Sequence, residues 1–344
     1  MPHSKVLIIT TAHDLEDGRL VRHKKALQRN KISTEIIALK FKNRIVRFVL
    51  GPWLAYLKIR RAKPHCVILP DPELQLLLPI FIRNKPSVIA DVHEVYELVA
   101  EDRSWISSWF KPIIDFFVWG LSLIRNRCAD AIIVADQSID AKCGIYVSNR
   151  PNPLDFPVSL PPRIPQSLIY VGDIRESRGI EEMIKLVEIT PEICLDLIGP
   201  CSNEKNLLNM IDNRNLSERI KWHGRLPYRR SWEIASTAIA GLCFLQPTPA
   251  FRNAIPTKIW EYWAVGIPVL GSNLPGQAKL IEQSGGGFVG EIEDLSMTVQ
   301  SFIRNPNLAR EVGRAGHDFY QMSDDGSEAR LIDTISSALE QQSQ

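Results

Sequence analysis

Short runs of Val, Ile and Leu recur along the chain with little polar interruption. The first half carries "KVLIITT", "TEIIAL", "HCVILP", "SVIADVH" and "DAIIVAD"; the second carries "SLIYVG", "CLDLIG", "RIKWHG", "AGLCFL" and "PVLGS". Each run is short for a helix and apolar on both faces, which predicts a strand buried on two sides. Longer stretches with apolar residues at helical spacing separate them. Such alternation predicts parallel sheets covered by helices on both faces, an α/β fold. Two series of this kind imply two doubly wound domains. Between them lies "PNPLDFPVSLPPRIPQ", residues 151–166, with six prolines. That composition neither continues a helix nor suits a sheet interior, so it reads as a linker. The expected layout is a domain over 1–150, the linker, and a second domain over 167–325. The helical pattern "SEARLIDTISSALEQQ" makes 326–344 a terminal helix that packs on one of the domains, with a return to the first as one arrangement.

Composition agrees with this picture. A chain of 344 residues exceeds one ordinary core, and 45% hydrophobic with 23% charged residues describes a globular protein. The net charge of +2 is too small to mark a nucleic-acid partner. Six cysteines are scattered without a C-x-x-C pair, several inside apolar runs, which fits a reducing cytosol better than a disulfide scaffold or a zinc site. The apolar run in "MPHSKVLIIT" is too short for a signal peptide, and no stretch approaches the length of a membrane span.

In open parallel sheets ligands bind beyond the carboxyl ends of the strands, and two such domains naturally enclose a cleft there. The most informative strand-end segment is "FRNAIPTKIWEYWAVGIPVLGSN", residues 251–273. Pro256 suits a first helical turn, and the amides of Thr257 and Lys258 then face forward to attract an anion. Lys258 adds a full cation where the helix dipole disfavours one, by roughly 0.3–1 kcal/mol at exposed sites. A diphosphate would reverse that sign. Glu261, one turn on, can accept hydrogen bonds from sugar hydroxyls. Gly266 ends the helix and Pro268 prevents its continuation. The plain structural alternative is a buried helix with a snorkelling Lys258 and an ion-paired Glu261. A second element tips the balance: the loop "DIRESRG" places Arg175 and Arg178 after the domain's first strand, and arginine forks suit phosphate oxygens. There the alternative is an ordinary turn with Asp173 or Glu176 pairing the arginines. "GGGFVG", residues 285–290, matches a dinucleotide fingerprint in letters, but it follows a helix and leads into a strand, the reverse of what that motif needs.

On these residues the chain resembles the retaining GT-B glycosyltransferases of glycosyltransferase family 4. The stretches that carry the resemblance are "SLIYVGDIRESRGIEEMI", "RIKWHGRLPY" and "PTKIWEYWAVGIPVLGSNLPGQAKLIEQSGGGFV", with "HDLEDGRLVRHKKAL", "LPDPEL", "DVHEVYE", "CADAIIVAD" and "NRPNP" from the first half. The resemblance implies two Rossmann-like domains facing across a cleft, the first for the acceptor and the second for a nucleotide-diphosphate sugar. It implies transfer of the sugar to a hydroxyl of a saccharide or lipid-linked saccharide, with retained configuration, in polysaccharide or glycolipid biosynthesis. Arg178 stands where the family has a phosphate-binding lysine, and Arg175 shares that task. Arg225 stands where backbone groups meet the nucleobase. Glu261 matches the second, ribose-binding carboxylate of an E-x7-E pair, and Asn253 replaces the first. On the acceptor side Pro70 replaces a histidine, leaving His13, Asp14, Asp71, His93 and Glu94, with His93 at a strand tip the strongest of them. The implied catalytic set is His93, Arg178 and Lys258, and the donor-binding set is Arg175, Arg225, Asn253, Thr257 and Glu261. No cofactor is implied. No D-x-D pair occurs, so no metal is expected to hold the diphosphate. Two alternatives share the architecture: a nucleotide-sugar epimerase, and a catalytically silent scaffold that Asn253 and Pro70 keep in view.

One segment stands apart from that chemistry. Between Ile36 and Pro70 there are eight Lys or Arg residues and no acid, and residues 40–63 set them around an apolar middle. This suits a pair of surface helices on anionic lipid headgroups, peripheral on the cytoplasmic face of a membrane. It equally suits a helix packed on the sheet with a solvated basic side. Gly51-Pro52 is expected to break the run.

Overall fold

The structure, a computed structural model, describes residues 5–15, 17–41, 43–81, 86–93, 111–135, 144–153, 156, 164–249 and 251–341. The chain forms two units, Met1–Asn149 with Asp325–Gln344, and Arg150–Asp324.

In the first unit β1 (Lys5–Thr10) has Val6, Leu7, Ile8 and Ile9 fully buried, which requires cover on both faces. Beside it run β2 (Ser33–Ala38), β3 (Cys66–Leu69), β4 (Ser87–Val92), β5 (Ala131–Val134) and β6 (Ile145–Tyr146). Among the described residues these make one parallel sheet in the order β2-β1-β3-β4-β5-β6. Side chains of β1 alternate between two cores. Val6 and Ile8 meet Leu20 and Leu27 of α1 (Gly18–Arg29) and Leu331, Ile335 and Leu339 of the C-terminal helix (Ser327–Gln341). Leu7 and Ile9 meet Ala55 and Ile59 of α2 (Arg44–Ala62), with Leu74, Leu77 and Leu78. A 3-10 turn, Pro72–Leu77, leads into α3 (Leu78–Phe81), and α4 (Lys111–Cys128) precedes β5.

The second unit repeats the plan. Its strands are β7 (Ile164–Val171), β8 (Cys194–Ile198), β9 (Ile220–Trp222), β10 (Ala238–Cys243), β11 (Val269–Gly271) and β12 (Gly287–Val289). They lie parallel in the order β12-β11-β10-β7-β8-β9. One face is covered by α5 (Ile180–Ile189), α6 (Glu204–Asp212) and α10 (Ile292–Arg304). The other carries α7 (Tyr228–Ala235), α8 (Thr257–Ala264), α9 (Pro275–Ser284) and α11 (Pro306–Met322). The C-terminal helix is then α12.

Three local expectations are corrected. Gly51-Pro52 does not break α2, which runs through both. A helix-interior proline costs about 3 kcal/mol, but here Asn43 caps the first turn and Ala55 and Ile59 anchor the second half in the core. Gly51 also lets α2 approach the β1 loop, since a Cβ there would stand 3.1 Å from Thr11 Cγ2. The proline-rich stretch does enter a sheet: β7 starts at Ile164, and Pro165 falls where the pairing with β10 shifts register, the kind of place a central strand tolerates proline. Pro256 is the residue before α8, outside the helix; the first helical residue is Thr257. Residues 285–290 act as turn and strand: Gly285, at φ 63°, closes α9, and β12 follows.

Candidate functional site

All strands of the second unit end on one edge of its sheet, and three glycines line up there. Gly172, Gly199 and Gly224 follow β7, β8 and β9 with φ of 151°, 142° and 66°. The Gly172 amide donates to Ile198 O at 2.9 Å and the Gly199 amide to Gly224 O at 2.8 Å. The row is close-packed, since a Cβ on Gly199 would fall 1.9 Å from the Gly172 oxygen.

Over this edge stands the start of α8. Its N-terminus has no side-chain cap, so its leading amides are donors without an internal acceptor. Lys258 is buried, with its Nζ 3.8 Å from the centroid of the Tyr170 ring. Arg178 ends the 3-10 turn Glu176–Arg178, its guanidinium 4.8 Å over the Phe251 ring. Among the described residues neither Lys258 nor Arg178 makes an ion pair with a carboxylate. Both cations act on the buried Cys243 thiol: burial pushes it up to about 11, while Lys258 and Arg178 pull it back. Both cations thus act on the surroundings of Cys243, and Lys258 stands in the first turn of an uncapped helix, an arrangement that draws an anion.

Glu261 lies one turn along α8, where Tyr228 donates its hydroxyl to Oε1 at 3.2 Å. The Tyr228 ring packs near Phe156 and Trp232. Tyr262 is fully buried, and its hydroxyl accepts from Val171 N at 3.1 Å and donates to Leu242 O at 3.2 Å, tying the ends of β7 and β10 together. Burial raises its pKa well above the ordinary phenol value.

The other expected donor residues are placed differently. Thr257 opens α8 and is half-buried. Arg175 is exposed and pairs with Asp173 at 3.3 Å. Arg225 follows Gly224, exposed on the same edge. Asn253 is exposed in the loop before α8, and its backbone meets α9 so closely that a Cβ on Gly276 would lie 2.5 Å from Asn253 O.

In the first unit the strand ends gather a second set. Asp71, after β3, is buried, and its Oδ2 accepts from Thr10 Oγ1 at 2.8 Å, Thr11 N at 2.6 Å and Ala12 N at 3.2 Å. Its visible work is to hold the β1 loop. His13 bridges two carboxylates, with Nδ1 2.9 Å from Asp17 Oδ2 and Nε2 3.4 Å from Asp71 Oδ1. Burial alone would raise the Asp17 pKa, but the hydrogen bond and charge of His13, with the Leu20 amide and His93, together outweigh it and the carboxyl sits at about 2. Asp14 is half-buried in the same loop, its carbonyl accepting from Asp17 N at 3.3 Å. His93 follows β4 and donates Nε2–H to Asp91 Oδ2 at 2.9 Å; its ring centroid is 5.3 Å from that of His13. Glu94 lies outside the described residues.

Asp91, Arg19 and His23 were not foreseen. Asp91 is fully buried; Arg19 Nη2 reaches its Oδ1 at 2.6 Å and His23 Nε2 its Oδ2 at 3.1 Å. Burial opposes its charge, yet Arg19 and His93 hold the carboxyl well below the usual range. An ionised carboxylate accepts only, so His93 carries its proton on Nε2 and leaves Nδ1 as its second polar atom. The signal was present in "GRLVRHKKAL": Arg19 and His23 sit four apart on the stripe of α1 that Leu20 and Leu27 make apolar. Tyr228, last residue of "HGRLPY", carried no comparable mark.

Comparison with known proteins agrees with the fold. Residues 154–319, inside the second unit, match the family model of the glycosyl transferases group 1. Curated protein sequences give no match. Among solved structures, HepE of Anabaena in complex with UDP and glucose superposes with a TM-score of 0.70 at 15% identity, covering 98% of this chain and 100% of that one. Sucrose-phosphate synthase from Thermosynechococcus elongatus gives 0.72 at 14% identity, covering 98% and 99%. A glycosyltransferase from Rickettsia africae gives 0.60 at 14% identity, covering 99% of both chains. The architecture is that of the GT-B glycosyltransferases.

Proposed function

We propose, from the premise of a GT-B fold whose second unit matches the group 1 glycosyl transferases, that this protein transfers a sugar from a nucleotide-diphosphate donor to a hydroxyl of a saccharide or lipid-linked saccharide, with retained anomeric configuration. The observation that carries the reading is Lys258: a buried ammonium with a π-face beneath it, an uncapped helix start beside it, Arg178 nearby and no carboxylate partner among the described residues. A diphosphate supplies the missing negative charge. HepE, solved with UDP and glucose, is a neighbour in fold that binds such a ligand.

In this reading the Lys258 ammonium, the Arg178 guanidinium and the Thr257 amide receive charge that appears on the leaving phosphate as the glycosidic bond breaks. They are in place before the reaction, so no reorganisation accompanies it. A departing phosphate oxygen takes the proton of the incoming hydroxyl. Glu261, oriented by Tyr228, accepts from ribose hydroxyls. His93, held by Asp91, presents Nδ1 to an acceptor hydroxyl.

The test is a thermal-shift panel of UDP, GDP, ADP, TDP and CMP on the wild type and Glu261→Ala, followed by assay of nucleoside diphosphate release from the matching sugar donor. One base should stabilise the wild type, by about 2.7 kcal/mol at a hundred times its dissociation constant, and fail on the variant. Product anomeric configuration, read by NMR coupling constants, checks retention. A nucleotide sugar that binds but is never turned over, with crude lipid acceptors present, replaces this reading with the silent scaffold that Asn253 allows.

A further inference from the structure

Helices that lie on a sheet normally turn a polar stripe outward. In the first unit α2 does the reverse. Gly51, Ala55 and Ile59 form its buried line, and on the opposite side Val46, Leu50, Trp53 and Leu57 stand exposed at spacings of four, three and four. α4 repeats the inversion: Val118 and Leu121 face inward, while Ile113, Phe116, Trp119 and Leu123 face out. These are not marginal exposures, with Trp53 at 58%, Phe116 at 70% and Trp119 at 57%. Both helices pack against the turn Pro72–Leu77, and on that turn and on α3 Leu76 and Ile80 are exposed as well. Exposed large apolar side chains thus concentrate on four neighbouring elements of one unit.

Charge follows the same face. The apolar stripe of α2 runs out into Lys58, Arg60, Arg61 and Lys63, all exposed, and that of α4 into exposed Arg127. Asp115 is the exposed acid of α4, and α2 has none. No described helix is long and apolar enough to cross a membrane.

We infer that this face of the first unit docks on an anionic lipid bilayer. The stripes of α2 and α4 enter the headgroup boundary, and the basic residues at their C-terminal ends meet lipid phosphates. The charge selects this occupant. A two-fold contact with a second copy would set each basic cluster near its own kind, and a neutral apolar partner would leave the cations without counter-charge. The docking is independent of the donor site and adds a partner to the proposed reaction: an acceptor carried on a lipid would be met at the surface where the first unit sits.

The experiment is vesicle co-sedimentation of the full chain with phosphatidylcholine alone and with about a third phosphatidylglycerol. Expected is retention on the anionic vesicles at least tenfold tighter than on the neutral ones, weakened by high salt. Arg60→Glu with Arg61→Glu should lower the affinity by about fivefold or more per residue. Trp53→Ser with Phe116→Ser should abolish it while keeping the wild-type melting temperature and its nucleoside-diphosphate shift. Glu261→Ala should bind vesicles like the wild type, so failure at the donor site and failure at this face are told apart. Equal or absent retention on the two vesicle types overturns the inference. So does a wild-type dimer, seen by light scattering, that Trp53→Ser with Phe116→Ser dissociates.

Discussion

The Lys258 ammonium rests 3.8 Å from the centroid of the Tyr170 ring, and a Cβ on Gly172 would come within 3.0 Å of it. The ring offers a partial negative face where a buried lysine would ordinarily have a carboxylate. That arrangement holds the charge in position without neutralising it. The positive field stays available to a ligand, and the glycine keeps the approach to it open.

Lys258→Met should separate binding from stability. An unpaired buried cation costs the empty protein free energy, so the variant should unfold at equal or higher urea concentration, a gain of about 1 kcal/mol. Nucleoside diphosphate affinity should fall about a hundredfold, in line with loss of a charge-assisted contact of about 2–3 kcal/mol. Urea melts and titration calorimetry read the two effects. A variant that loses stability and keeps affinity would place Lys258 in the fold alone.

Gly199→Ala should be severely destabilising, since its Cβ would fall 1.9 Å from the Gly172 oxygen and both are backbone-bound at the sheet edge. With φ at 142° as well, a loss of about 3 kcal/mol or more is expected. Gly224→Ala, where no atom lies within 4 Å of the added Cβ, meets the positive-φ strain alone and should cost less. Chemical denaturation of the two variants checks the order.

Tyr228→Phe removes the hydroxyl that donates to Glu261 at 3.2 Å. If Glu261 reads ribose, the affinity for the preferred ribonucleotide should fall about five- to tenfold, one ordinary hydrogen bond. The 2′-deoxy analogue should change less. Equal losses for both would remove Tyr228 from ribose recognition.

Acid should weaken the first unit in two steps. Burial, then the Arg19 charge, holds the His23 pKa at about 4 against an ordinary 6.5. Between those values the unfolded chain takes up a proton that the folded one refuses, so stability falls as pH drops through that window. The full effect is on the order of 3 kcal/mol. Asp17, at about 2 against 3.8, contributes stability above 3.8 that is lost on further acidification. His23→Gln should flatten the first step in melting temperature against pH and leave the second. An unchanged slope between pH 6.5 and 4 in the variant would assign the loss to other groups.

The strands were legible because a doubly covered sheet leaves no polar side to its strands; the four fully buried residues of Val6–Ile9 are the plainest case. β6, two residues long, carries too little pattern to be read. Lys258, Arg178 and Glu261 could be read because each conflicts with, or decorates, a helix or turn at a strand end. The Asp91 cluster could not be assembled the same way. Arg19 lies 72 positions away from it, and spacing along a chain is blind to partners that meet across a sheet. α2 shows the opposite failure: local propensity at Gly51-Pro52 argued for a break, and packing of Ala55 and Ile59 overrode it.

The first unit draws its last helix from the far end of the chain: Leu331, Ile335 and Leu339 of α12 complete the core that Val6 and Ile8 begin. Arg150–Asp324 is contiguous and can close its own sheet as soon as it is made. During synthesis the order of folding is therefore inverted relative to the order of translation. The half made first holds an open apolar face until α12 emerges, so the protein's demand for chaperone protection should fall on its N-terminal half and end with its last turns of helix.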